Sequence, residues 1–158
     1  MSGAELAALF RRDLTRLVQE LRAFPGDGTL WTKPPGISNS IGNLVLHLEG
    51  NLREYIGRQL GGVPYSRQRE REFTETGLPI DNLLARVEPL AILIPEIIAG
   101  VSDEDLNRLY PEEPFNSPIS TAQYLVSLNS HLNYHLGQID YLRRILTSGG
   151  AVDFVQLG

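Results

Sequence analysis

The sequence holds three histidines, His47, His131 and His135, and the last two stand four residues apart. On a helix that spacing stacks two side chains on one face, one turn apart. Two imidazoles so placed can reach one divalent ion at about 2.0–2.1 Å. His47 lies in a separate stretch, between Leu44 and Leu48. If that stretch packs beside the one bearing His131 and His135, three neutral nitrogens can converge. Facing helices of a bundle build metal sites in this way. A boundary histidine with a single hydrogen bond is the alternative for each ring. The zinc-protease motif is excluded, because Leu132 stands where that motif needs glutamate. Cysteine is absent, which removes disulfides, thiolate ligands and a cysteine nucleophile together.

Other polar residues stand close to the histidines in sequence. Asn51 follows His47 by one turn, and Gln138 follows His135 by three residues. Either can orient a ligand histidine or serve as an ordinary polar residue at a helix seam. Glu49 and Glu54 flank the His47 turn and are candidate bases. Helical angle turns Glu49 away from His47, and Glu54 reads as solvated. Tyr134 and Tyr141 can donate to a substrate oxygen or simply pack. Arg53, Arg143 and Arg144 can bind a carboxylate. For Arg143 and Arg144 the dipole of a helix C-terminus is the simpler account. No glycine-rich phosphate loop and no serine in a nucleophile elbow accompany them.

Four helical stretches are predicted to position these residues. The first runs from about Ala4 to Ala23, with Leu6, Phe10, Leu14, Leu17 and Leu21 on one face. Pro25, Gly26, Asp27 and Gly28 end it. The second starts near Ser38-Asn39-Ser40, which supplies a cap, and continues to about Leu60. Its face carries Ile41, Leu44, Leu48, Leu52 and Tyr55. The third runs from Asp81 to Gly100 with the stripe Leu84, Val87, Ala91, Ile94 and Ile98. Pro89 and Pro95 predict a kink or break in it. The fourth opens at Ser120 or Thr121, where Ser120 and Gln123 fit a capping box, and runs to about Thr147. Its stripe is Leu125, Leu128, Leu132, His135, Ile139, Leu142 and Leu146. With no convincing strand, the expectation is an all-α four-helix bundle. It forms one domain over residues 1–148, with a tail at 149–158 that includes Val152, Phe154 and Val155.

Composition narrows the function classes. A chain of 158 residues can bury a proper core. The net charge of −5 leaves no basic footprint for nucleic acid. The charged stretch Arg67 to Glu72 alternates in sign and reads as a solvated loop. No apolar run approaches the ~18 residues that span a bilayer. The N-terminus does not read as a secretory signal. The expected location is the cytoplasm, with a small-molecule substrate and no nucleic-acid or membrane partner.

Two segments carry a family likeness. NSIGNLVLHLEGNLREYIG, from Asn39 to Gly57, and SLNSHLNYHLGQIDYLRRIL, from Ser127 to Leu146, resemble the DinB-like superfamily of bacterial four-helix proteins. The likeness covers the first helix to about residue 147, and the run Gly137-Gln138-Ile139 is typical of it. It implies that His47, His131 and His135 bind one divalent metal, with zinc or nickel expected. It also implies chemistry on a low-molecular-weight thiol, as an S-transferase or isomerase. A metal-dependent hydrolase and a non-catalytic metal- or ligand-binding protein are the alternatives. A homodimer is expected by the same likeness and because two-fold pairs are the commonest assemblies.

Overall fold

The structure is a computed structural model that describes residues 1–152. Phe154 and Val155 of the tail lie outside the described residues. Helix α1 spans Gly3–Arg22 and α2 spans Ile41–Leu52, which continues through a π-helical turn at Arg53–Arg58. Four shorter helices follow: α3 (Arg69–Thr74), α4 (Ile80–Val87), α5 (Leu90–Ala99) and α6 (Asp103–Asn107). The long α7 spans Thr121–Thr147. Among the described residues there is no strand, only an isolated bridge between Leu109 and Ser120.

Four rods make the bundle: α1, α2 with its π turn, α4 with α5, and α7. Helix α1 packs on α5 and α7, while α2 packs on α7 and α4. The predicted face of α1 is buried throughout, from Leu6 to Leu21. Serine opens the three longest helices. Ser2, Ser40 and Ser120 each close a capping box with the residue three positions on, Glu5, Asn43 and Gln123. Each box satisfies backbone N–H groups that the first turn leaves open.

The third rod corrects the sequence reading in detail. Pro89 breaks the hydrogen bonding and Pro95 does not end its helix. Pro89 has no N–H to give, yet Glu88 and Pro89 keep right-handed helical angles (φ/ψ −56/−45° and −62/−30°). The rod therefore continues across the junction. Its buried stripe is Leu83, Val87, Leu90, Ile94 and Ile98. Leu84 and Ala91, expected in the stripe, are only partly covered.

All twelve residues of α2 are buried. A bundle helix normally leaves one face in water. Here α3 and the chain around it cover the outer face, packing directly on α2. The other end of α2 is closed by Trp31, whose indole N–H donates to the Leu78 carbonyl at 2.9 Å. Its ring lies where a side chain at Gly42 would stand, 2.6 Å from an ideal Cβ. Gly42→Ala should therefore displace the ring and cost about 1–3 kcal/mol, the usual penalty for overpacking. Trp31 is the only tryptophan, so its emission reports the displacement alongside the melt. An unchanged spectrum and melting temperature would refute the fit.

Polar pins fix α1 against α7. The buried Asp13 carboxylate accepts from Asn129 at 3.0 Å, from Asn133 at 2.6 Å and from Arg12 at 2.7 Å. Arg143 is buried as well and pairs with Glu20 at 2.5 Å while donating to the Gly150 carbonyl. The helix-dipole account of Arg143 is thereby corrected. Its guanidinium is a buried partner, not a surface charge.

Candidate metal centre

Adjacent packing of α2 and α7 brings the three histidines together. His47 Nε2 lies 3.1 Å from His131 Nε2, and His135 Nε2 lies 3.1 Å from the same atom. One ligand atom from each ring falls within 4.8 Å of the others. Two nitrogens bound to one ion at about 2.0–2.1 Å would be separated by roughly 3.3 Å at a tetrahedral angle and roughly 2.9 Å at a right angle. The observed spacing lies between these values, so the three histidines could hold a metal ion.

The outer nitrogens sharpen that fit. His47 Nδ1 meets Glu72 Oε2 at 3.0 Å, and His135 Nδ1 meets Gln138 Oε1 at 2.7 Å. A carboxylate and an amide oxygen can only accept. Both rings therefore donate from Nδ1, and in the neutral ring this leaves the Nε2 lone pair turned inward. A lone His131 N–H could satisfy one of these lone pairs but not both. His131 Nδ1 is buried without a hydrogen-bond partner. A cation at the centre would accept all three Nε2 lone pairs, while His131 Nδ1 would stay without a partner.

At His131 and His135 burial favours the neutral imidazole that a metal needs. Burial first, and then the neighbouring His135 and His47, push the His131 pKa down to about 4. Burial also lowers His135, against a smaller opposing effect of Gln138. Burial alone would raise the Glu72 carboxyl. Hydrogen bonds from His47 and Arg67 and the Arg67 charge outweigh it and hold Glu72 below the usual range. The grip is bidentate, with Arg67 Nε at 2.6 Å from Oε1 and Nη2 at 2.9 Å from Oε2.

Glu72 and Arg67 were missed by the sequence reading, which put the stretch Arg67 to Glu72 in solvent. Glu72 is in fact buried and Arg67 mostly so. A six-residue helix is too short to display a period, so charge alternation dominated the reading. Phe73, its ring centroid 5.0 Å from that of His47, was the one apolar hint. Gln138 does orient His135, as the spacing allowed. Asn51 does not join the centre by any hydrogen bond, and its Oδ1 is buried without a partner.

The remaining candidates sort themselves by contact. Glu49 is buried but pairs with Arg53 at 2.9 Å and Arg86 at 2.7 Å. Glu54 is not solvated as expected; it is largely covered and held by Arg58. Arg144 pairs with Asp140 at 3.4 Å and lies over the Tyr141 ring. Tyr134 and Tyr141 are about two-thirds exposed (66% and 68%) and so do not serve the core. With His135, Gln138, Ile37, Ser38 and others they line a cavity of about 520 Å³, a size that suits a small molecule.

A helical bundle whose second and last long helices aim three imidazoles at one point defines a class of three-histidine bundle proteins. The chain belongs to the DinB superfamily, whose profile matches residues 5–139. Among solved structures it is similar to a conserved protein from Enterococcus faecalis, with a TM-score of 0.73 at 16% identity, over 94% of this chain and 99% of that one. It is also similar to a DinB-like protein from Bacillus cereus, with a TM-score of 0.67 at 18% identity, over 89% and 91% of the two chains. These likenesses concern the fold. No curated protein matches the chain. Among the described residues no helix is long and apolar enough to cross a membrane.

Proposed function

We propose that this chain is a metal-dependent enzyme in which His47, His131 and His135 hold one divalent ion, zinc or nickel, through Nε2. The substrate is a small molecule and the co-reactant a low-molecular-weight thiol, in a transferase or isomerase reaction. One observation carries the metal reading: two of the rings have Nδ1 committed to acceptors and Nε2 turned to a common point. Three protein ligands leave a coordination place open, the mark of catalytic rather than structural sites. When bound, the ion supplies Lewis acidity that eases loss of a proton from a thiol or a water beside it.

The chain's own residues set what can happen there. No cysteine is present, so a reacting thiol must arrive from outside. The cavity beside His135 offers phenols, Ser38, Asn39 and the Gln138 amide to orient a substrate. Among the described residues, no aspartate or glutamate lines it.

The test starts from natively purified protein. Elemental analysis should give close to one divalent ion per chain. Metal-loaded protein incubated with glutathione or another cellular thiol and an electrophile should form conjugate, and His135→Ala should not. Ester or amide turnover without thiol would replace the proposal by hydrolysis. Full metal occupancy with no turnover in either assay would leave a binding protein.

A further inference from the structure

Three residues of α2 share one face at steps of four and three: Asn43, His47 and Gly50. Segment 67–75 lies along that face and touches each of them. Asn43 Nδ2 donates to the carbonyls of Glu72 and Glu75, at 3.1 and 3.0 Å. His47 meets the Glu72 carboxylate. Gly50 leaves the space in which that carboxylate sits. An ideal Cβ at Gly50 would stand 2.1 Å from Glu72 Oε1 and 2.8 Å from its Cδ. The carboxylate cannot simply swing aside, since Arg67 grips both of its oxygens.

Glycine is a poor choice for the middle of a helix on backbone grounds. The backbone at Gly50 is ordinary α-helix, so conformation does not call for it. What the position requires is the absence of a side chain. The structure thus has a helix that gives up propensity to seat one carboxylate against one imidazole.

We infer that Glu72, seated over Gly50 and gripped by Arg67, is a positioning residue for His47, and that docking of segment 67–75 is linked to metal binding. The inference rests on the reading that His47 is a metal ligand. Glu72 holds the proton on Nδ1 and fixes the ring plane, which leaves Nε2 free to ligate. Outer partners of this kind tune affinity without touching the ion. Linkage then works in both directions: a docked segment tightens metal binding, and bound metal tightens the docking.

Zinc titration against a chromogenic chelator measures the first direction. Gly50→Ala and Glu72→Ala should each weaken zinc binding roughly 10–100-fold. Metal-free Gly50→Ala should still fold and melt cooperatively, because alanine favours the helix itself; it carries the test if Glu72→Ala does not fold. Trypsin measures the second direction. Arg69 and Arg71 are exposed, and cleavage follows the population in which the segment is open. Zinc should slow cleavage after these residues at least roughly fivefold in the wild type and clearly less in Gly50→Ala. Wild-type affinity in both variants, or cleavage indifferent to zinc, would overturn the inference. His131→Ala separates the two levels. If it loses zinc while Gly50→Ala and Glu72→Ala bind normally, only the positioning role fails. If it binds zinc like the wild type, the ligand reading fails and the inference with it.

Discussion

His131→Ala is expected to abolish metal retention. His131 Nε2 is the atom that both other Nε2 atoms approach, each at 3.1 Å. Without it the pair His47 and His135 must hold an ion from two different helices. The loss in affinity should exceed the roughly 10–100-fold that follows removal of a mere outer partner. Stability gives an independent readout. Zinc at about 100 times its Kd should stabilise the wild type by about 2.7 kcal/mol. For a domain of this size that is a rise of roughly 5–11 °C in Tm. The variant should show no rise at the same zinc concentration. Its metal-free form gives up a ring whose buried Nδ1 has no partner, so its own Tm should fall by less than that increment. A His131→Ala protein that keeps its ion through gel filtration would end the three-histidine assignment.

The second large effect concerns stability alone. Arg143→Ala should cost about 3–5 kcal/mol, because it strands the Glu20 carboxylate among buried groups. Both side chains are about 1% exposed. Burial already raises the Glu20 pKa, and Arg143 is the main influence that brings it back down. Removing the guanidinium should raise it further. A carboxyl with a raised folded-state pKa destabilises as pH climbs through that value and is harmless below its unfolded value of about 4.5. The deficit of Arg143→Ala should therefore be largest at neutral pH and shrink toward pH 4. Replacing both partners by leucine should recover most of the loss, since it removes both charges from the interior. Thermal melts at pH 4 and pH 7 check all three statements. A deficit independent of pH would mean that lost packing, not a stranded charge, is responsible.

Much of this fold was legible because long amphipathic helices write their period into sequence. Leu6 to Leu21 predicted α1, and Ser120 with Gln123 marked the start of α7 within a residue. The clustering of the histidines was legible for a related reason. His131 and His135 sit one turn apart on a regular helix, so spacing alone places them together. Convergence with His47 needed knowledge of which helices are neighbours, and the family likeness supplied it. What stayed hidden depended on contacts distant in sequence. The Glu72 carboxylate reaches His47 across 25 residues, and Glu20 reaches Arg143 across 123. Neither partner announces itself locally. Arg143 followed by Arg144 looks like a charged helix end until the bundle closes around the first of them.

Asn43 has a consequence for comparing sequences across the superfamily. Its Oδ1 closes the capping box with Ser40, while its Nδ2 serves two carbonyls of another segment. Aspartate at this third helical position could accept from Ser40 as asparagine does, but it has no N–H to offer. A homologue with aspartate in this column would therefore keep its second helix and lose the tether of the neighbouring stretch. The distinction between one letter and its nearest substitute thus reports on an element some thirty residues downstream, and similarity scoring that treats the two as equivalent discards that information.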